Sequence, residues 1–404
     1  MLPTNLNDLT PEHIQGLIDS EVAESLTLEY KQKLPSKQSE EKREFLYDVA
    51  SMANAAGGDI VFGIAERPGE NNAKTGIAEK LLGERWSNIQ AEVIRLSSYV
   101  KDGIAPRLGG VELKPISCRD GDALVVRIPS SWNKPHLVTI GGVDRFYKRT
   151  GTTNNPMNVE EIRRAFLEQG ELRETIARWR QHRVELIDLG PAPVVLASGV
   201  ITLFHVIPSD AFTPGAFTQS WRIPPNEKNS VYVPDGNLDQ RYNADGFLCH
   251  GSRKNDGPVN GYTQLFRSGI VEYGFSHHYQ PIASENAMIL GRVLEREMVY
   301  CYQDANGRLR REGRTGAVYI GFSLMRIFGK SFYNSPIAAA WQDRKYEIRQ
   351  SAFSSPEVYV DLSEPAENAP FAKTLRPLVD TLWQVGGREQ TPCIVNGVWD
   401  PFAR

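Results

Sequence analysis

The sequence predicts an α+β protein of two domains, and three stretches carry that reading. A strand–helix–strand unit runs from Glu24 to Glu66, a β-hairpin turns at Gly141-Gly142, and a Gly/Pro-rich segment, Asp188 to Pro193, precedes an apolar, β-branched run from Val194 to Ile207. On this reading residues 1–169 form a domain with a mixed sheet and packed helices. Residues 170–193 supply a helix and linker, and residues 194–404 form a second α+β domain. The 404 residues suffice for two hydrophobic cores.

The elements follow in order. Thr10 caps a short helix that Pro11 begins and whose buried face carries Ile14, Leu17 and Ile18. Leu26, Leu28 and Tyr30 alternate with Thr27, Glu29 and Lys31, a half-buried strand with Glu29 and Lys31 on its polar face. Phe45, Val49 and Met52 recur at helical spacing, with Ser39 as N-cap, Glu40 and Glu41 in the first turn, and Asn54 with Gly57-Gly58 ending the helix. Ile60 to Phe62 is a buried strand, thinned at Gly63 for a close backbone neighbour. Residues 67–83 read as a polar loop. A helix follows along Trp86, Ile89, Val93, Leu96 and Val100, then strands near Val111–Ile116 and Ala123–Ile128, and the hairpin Leu137–Ile140 with Val143–Lys148. Asn158 to Glu161 is a capping box for a helix ending near Gly170, and a second helix carries Leu172, Ile176, Trp179 and Val184.

In the second half, Tyr262 to Phe275 predicts a strand pair around Ser268-Gly269. Ser284 starts a helix through Ile289 and Met298, Asp304 to Gly307 forms a turn, and Val318 to Phe328 is apolar. A helix near Phe371 to Val385 is kinked at Pro377, and an aromatic tail runs from Trp399 to Phe402.

Composition narrows the function. The net charge of −3 excludes a polycation, so nucleic-acid binding needs a local basic surface. The four cysteines are too scattered for a zinc knuckle or redox pair, which suits reduced thiols in a cytoplasm. No apolar run reaches membrane-spanning length, and the N-terminus lacks the charge and apolar pattern of a signal peptide. His277-His278 and His250 have no partners at metal-ligand spacing. Gly329-Lys330-Ser331 resembles the end of a phosphate-binding loop, but Leu324 occupies the place of its first glycine.

Three carboxylates, Glu24, Glu29 and Glu66, sit at the strand edges of the first unit. Five residues separate Glu24 from Glu29, so the two meet only if the chain bends near Ser25. Like charges brought together call for a cation, and hard Mg²⁺ or Mn²⁺ suits oxygen ligands, polarises phosphates and activates water. Lys31 either steadies a phosphate or pairs with a carboxylate. Arg145, Lys148 and Arg149, beside Phe146 and Tyr147, suit phosphate contact and base stacking, or else form a solvated strand with its aromatics in the core. Lys33 lies on the same approach to Glu29, and His136 either contacts RNA or makes a structural hydrogen bond.

Glu24-Ser25, Glu29-Tyr30-Lys31, Ala53-Asn54, Gly57-Gly58 and Gly63 to Glu66, followed by Lys134-Pro135-His136 and Arg145 to Thr153, resemble the core of Schlafen-type AlbA domains over roughly residues 20–168. The resemblance implies a metal-dependent endoribonuclease acting on tRNA or other structured RNA. Glu24 and Glu29 match its paired acids and Glu66 its third. That third acid is commonly aspartate, and Ala65 stands where many members are acidic. Bacterial members act as regulated effectors in antiviral defence, which would leave the C-terminal domain as a sensor of an unknown trigger. Other relatives are non-catalytic nucleic-acid-binding regulators. Long members carry two copies of the domain in one chain. Only one is found here, so a homodimer is expected to supply the second lobe.

Overall fold

The computed structural model describes residues 2–3, 5–70, 74–83, 85–131, 133–189, 192–212, 221, 231–234, 236, 239–251, 257–277, 288–314, 316–333, 346–362 and 374–400. The chain divides into two compact units, Met1–Arg173 with Gly313–Gly316, and Glu174–Glu312 with Ala317–Arg404.

In the first unit, β1 (Leu28–Lys31) and β2 (Gly57–Phe62) pair in parallel, with Glu29 opposite Ile60. Parallel neighbours need a crossover, and α2 (Ser39–Ala53) provides it. After β2 the chain forms β3 (Ile64–Pro68), β4 (Lys74–Leu81), α3 (Ile89–Gly103) and the short β5 (Ile104–Ala105). Two antiparallel strands, β6 (Glu112–Cys118) and β7 (Gly121–Pro129), complete a sheet of order β1-β2-β7-β6. Period-two alternation gives this sheet two buried faces. Ile60, Phe62, Leu124 and Val126 pack with Phe45, Val49 and Met52 of α2 and Leu96 and Val100 of α3. Val61, Ala123 and Val125 pack with Ile14 and Leu17 of α1 (Pro11–Asp19) and Ala78 and Leu81 of β4. Gly63 has φ +96, and a Cβ there would stand 2.5 Å from the Asp122 carbonyl oxygen, which is the close approach its sequence position implies.

The second sheet of this unit has the order β10-β9-β8-β5, from β8 (Leu137–Ile140), β9 (Val143–Thr150) and β10 (Thr153–Pro156). Gly141 and Gly142 turn the β8–β9 hairpin at φ +63 and +74, the left-handed pair that a two-residue turn needs. Asn54, at the end of α2, pins that hairpin. Its Nδ2 donates to the carbonyls of His136 (3.0 Å) and Tyr147 (2.8 Å), and its Oδ1 accepts the His136 N–H at 2.7 Å.

The second unit is built on an eight-stranded sheet. Its central strands, β11 (Val200–Pro208), β14 (Gly261–Phe266), β15 (Val271–His277) and β17 (Ala317–Met325), are joined by β12 (Asp239–Tyr242), β13 (Gly246–His250), β19 (Ala352–Ser354) and β20 (Val358–Asp361). A small parallel pair, β16 (Met288–Leu290) and β18 (Ser331–Tyr333), lies outside it. One face of the main sheet buries Phe204, Tyr273 and Phe322 with Met298 of α5 (Gly291–Arg311) and Trp383 of α6 (Arg376–Val385). The other meets Val184 and Ile187 of α4 (Val159–Leu189). On that face Glu272 is fully buried. It accepts from Arg183 Nε (2.8 Å) and Nη2 (2.7 Å), from His205 Nε2 (2.9 Å) and from the Tyr262 hydroxyl (2.7 Å).

Several sequence expectations are corrected. Residues 67–83 are not a loop: β3 and β4 pair there, because Ala78 and Leu81 are buried against the first core. Gly170 does not break α4. It is solvent-exposed, and the roughly 1 kcal/mol penalty of an interior glycine is outweighed by the good helix formers around it. Asp304 to Gly307 lies inside α5, where Ala305 and Leu309 are buried and Asp304 pairs with Arg308 one turn on at 2.8 Å. Ile289 belongs to β16 and the helix begins at Gly291, while Ser284 lies outside the described residues. Pro377 sits in the first turn of α6, where its missing N–H leaves no bond unmade, so it starts the helix rather than kinking it. Gln38, not Ser39, occupies the N-cap of α2. His278, Phe371 and Phe402 are outside the described residues. The four cysteines are buried and free, and among the described residues no helix is long and apolar enough to cross a membrane.

Asn54→Ala removes three hydrogen bonds and strands two carbonyls and an N–H. It is expected to lower unfolding free energy by about 3 kcal/mol in chemical denaturation. A loss below about 1 kcal/mol would mean that the hairpin is held by other contacts.

Candidate functional site

The alternation in β1 places Leu28 and Tyr30 on the α1 side of the sheet and Glu29 and Lys31 on the other. The polar face is not left to solvent, because β9 and β10 cover it. Glu29 Oε2 accepts from Arg149 Nη2 at 2.6 Å, and its Oε1 meets Lys31 Nζ at 3.0 Å. Lys31 Nζ also stands 3.0 Å from Asp48 Oδ2, which projects from α2. Asn154 of β10 donates to Asp48 Oδ1, and its own Oδ1 accepts from Ser51 Oγ at 2.6 Å. Two carboxylates and two cations thus form one charge-balanced network, buried except for the half-buried Lys31. Burial raises Asp48 above the ordinary carboxylate range, although Lys31 opposes it. Burial works against the Lys31 charge, but Asp48 and Glu29 outweigh it and raise its pKa.

The bend that convergence requires is present. Ser25 N–H donates to the Leu28 carbonyl at 3.0 Å, closing a tight turn before β1. Arg149 holds that turn from inside, donating from Nη2 to the carbonyls of Ser25 (3.0 Å) and Leu28 (3.2 Å). The turn swings Glu24 back, so that its Oε1 accepts the Tyr30 N–H at 2.8 Å. Glu24 N–H in turn donates to the Gly76 carbonyl at 2.7 Å. Gly76 N–H donates to Glu66 Oε2 at 3.1 Å, so Glu24 and Glu66 flank one residue of β4. Gly76 has φ +69, and a Cβ there would lie 3.3 Å from both Cβ and Oε2 of Glu24. Partial burial, with the like charges of Glu29 and Glu66 adding, pushes Glu24 up to about 7 against the Tyr30 N–H and Arg149.

Glu24, Glu29 and Glu66 are therefore brought into electrostatic reach of one another, but not as three equivalent ligands. A hard divalent cation needs several oxygen donors. Glu24 and Glu66 fit that demand in charge and donor type. Oε2 of Glu24 makes no hydrogen bond among the described residues, and Oε1 of Glu66 faces only the exposed Lys74 at 3.9 Å. Glu29 does not fit, because both of its oxygens are engaged by cations. Among the described residues no group of three or more His, Cys, Asp or Glu side chains is placed to hold a metal.

The basic candidates separate in the same way. Arg149 has no exposed side-chain surface, so it supports the carboxylates and offers nothing to a phosphate. Lys31 pairs with carboxylates. Arg145 is exposed, Lys148 is half-buried, and Lys33 is exposed at the rim of a cleft beside α3. Tyr147 is in the core, stacked on Tyr47 with centroids 3.9 Å apart, and Phe146 meets Phe166 edge-on, so neither aromatic is a free stacking platform. His136 is structural. Its Nδ1–H donates to the Pro106 carbonyl at 2.8 Å and its Nε2 accepts from Ser131 Oγ at 2.6 Å. Burial pushes it down to about 4, so it is neutral near pH 7. Asp48, Asn154 and Gly76 were not singled out from sequence. Asp48 carried a signal, being a charge in the apolar stripe between Phe45 and Met52.

The family described as Schlafen, AlbA_2 matches residues 24–158, which hold the whole of this network from Glu24 through Asn154. Residues 24–158 are a Schlafen AlbA_2 domain. The match covers about a third of the chain and leaves the second unit outside it. No curated protein matches the chain. Among solved structures, the crystal structure of the DIP2311 protein from Corynebacterium diphtheriae is similar at 14% identity and a TM-score of 0.25, over 36% of this chain and 26% of that one. The similar part thus spans about a quarter of that protein.

The Glu24 carboxyl yields a test of the AlbA_2 site that needs no substrate. Its pKa lies near 4.5 when unfolded and about 7 when folded, so the folded domain holds the proton more tightly. The contribution of Glu24 to stability is therefore lost as pH rises from about 4.5 through about 7 and does not change above that. Glu24→Gln removes this loss, so its thermal midpoint is expected to gain on wild type between pH 4.5 and pH 8. An equal difference at both pH values would show that Glu24 titrates as an ordinary carboxylate.

Proposed function

We propose that the AlbA_2 domain is a metal-dependent endoribonuclease acting on tRNA or other structured RNA. The observation that supports it is Glu24, a carboxyl with an unbonded oxygen, raised to about 7 beside two further acids. Groups tuned in this way belong to sites that handle protons or cations. Glu24 and Glu66 would hold Mg²⁺ or Mn²⁺, which when bound polarises a phosphodiester and lowers the pKa of a bound water. Arg149 and Lys31 pair with Glu29, and Arg149 braces the turn that aims Glu24. Arg145 and Lys148 would bind RNA phosphates. By family resemblance, the whole chain would act as a regulated effector in antiviral defence, as a homodimer, with the second unit sensing a trigger.

A second reading, a non-catalytic nucleic-acid-binding regulator, is favoured by one observation: Lys31 and Arg149 already neutralise Glu29. Purified protein incubated with total tRNA in Mg²⁺, Mn²⁺ or EDTA separates the two. The nuclease reading expects cleavage with metal and none with EDTA, and at least a hundredfold loss in Glu24→Gln/Glu66→Gln with RNA affinity kept. It also expects Mg²⁺ or Mn²⁺ to suppress the pH-dependent stability of the wild type. Retardation of RNA without cleavage, and no effect of metal on that stability, would leave the binding reading.

Arg145→Ala/Lys148→Ala is expected to weaken RNA binding and to flatten its log–log salt slope by about 0.7 to 0.9 per lost phosphate contact. An unchanged slope would place the RNA elsewhere.

A further inference from the structure

A second feature of the first unit is independent of its carboxylates. The β1–α2 loop and the segment leading into α3 flank an open cleft of about 490 Å³, a volume inside the range of about 300–1,000 Å³ that small-molecule sites span. None of Glu24, Glu29 and Glu66 lines it. Four cations do, Lys33, Lys37, Arg85 and Arg95, against one acid, Glu92.

The two arginines are structural. Arg95 Nε donates to Glu92 at 3.0 Å and Nη2 to the Pro35 carbonyl at 2.6 Å, fixing the loop wall. Arg85 donates to Asp122 at 2.8 Å, and the same carboxylate accepts the Trp86 N–H at 2.9 Å, fixing the other wall. Lys33 and Lys37 remain, exposed and without an ion pair among the described residues. They are the cations of the cleft that make no ion pair with a described residue, and the nearby Glu41 carboxylate is taken up by the Ser36 N–H at 2.6 Å. Half-buried Trp86, with Leu34 and Pro35, supplies apolar surface beside them. The first turn of α3, a 15-residue helix capped by Asn88, opens onto the same space and adds the positive end of its dipole.

We propose that this cleft binds a nucleoside phosphate, the phosphate against Lys33 and Lys37 and the base against Trp86. Two ammonium groups suit a phosphate dianion, and an indole beside them suits a base. A free nucleotide and the 5′-phosphate end of a single-stranded RNA present the same chemistry.

The test titrates the full chain, in EDTA, with AMP and with a single-stranded hexaribonucleotide in 5′-phosphorylated and 5′-hydroxyl forms, read by calorimetry and tryptophan fluorescence. Binding of AMP, or a preference for the 5′-phosphorylated oligonucleotide, is expected. AMP binding with no preference between the two oligonucleotides identifies a free nucleotide as the ligand, and preference with weak AMP binding identifies an RNA end. Lys33→Ala/Lys37→Ala should weaken whichever is bound by about tenfold or more. Trp86→Phe should lose the fluorescence change while retaining a calorimetric signal. Absence of binding by both AMP and the phosphorylated oligonucleotide, or binding unaltered in the double lysine variant, would overturn the proposal. Neither result depends on metal or cleavage, so failure of the nuclease reading is separately visible.

Discussion

The AlbA_2 domain depends on the pairing of Glu29 with Arg149. Both side chains are buried, and a buried ion pair that loses one partner is strongly destabilised. Their contact ties β1, early in the domain, to β9, some 120 residues later. Lys31 and Asp48 extend it to α2, so three elements share one electrically neutral knot. Nε and Nη2 of Arg149 also reach the Ser25 carbonyl, and Nη2 the Leu28 carbonyl, bracing the turn that decides where Glu24 points. The path from the core to the candidate site therefore consists of hydrogen bonds with named donors. Replacing Arg149 with an apolar residue would leave Glu29 to Lys31 alone and remove the side-chain donors from the Glu24 turn, whereas replacing Glu29 would leave the buried Arg149 without its carboxylate.

The second unit solves the same problem with different parts. Glu272 is fully buried and is satisfied by one bidentate arginine, one imidazole and one phenol. The two strand neighbours of this cluster are glycines for a steric reason. A Cβ at Gly274 would lie 2.1 Å from the Tyr262 ring, and one at Gly321 would lie 2.6 Å from the Arg180 guanidinium. Backbone without side chains makes room for large polar groups between sheet and helix. Both units thus place a carboxylate under a covering element and bring an arginine to it from a distant part of the chain.

Much of this was legible in sequence because it is local. Period-two alternation located β1, glycine pairs located the β8–β9 turn, and Asn158 with Glu161 located the start of α4, where both reciprocal cap bonds form at 2.9 Å. Non-local facts were not legible. Nothing near Arg149 indicates that its partner is Glu29 rather than a phosphate, since an arginine beside aromatics reads the same on a surface and in a core. The turn-like run at Asp304 to Gly307 is overridden by burial of Ala305 and Leu309, which only the folded neighbours of α5 reveal. Residues 67–83 looked polar because most of the described positions in this hairpin, which lies over a sheet face, are exposed or only half-buried. Its few buried positions, Ala78 and Leu81, are too sparse to show a period.

Gly76 has one more consequence. It lies between Glu24 and Glu66 in a backbone conformation that costs an L-residue roughly 1–2 kcal/mol, and it holds one acid by its carbonyl and the other by its amide. An added methyl group there would press on the Glu24 carboxylate without altering any charge in the domain. Position 76 is thus a purely steric handle on an electrostatic site. It allows the spacing of the two acids to be changed while their ionisable groups, and the long-range field that any polyanion feels, stay as they are.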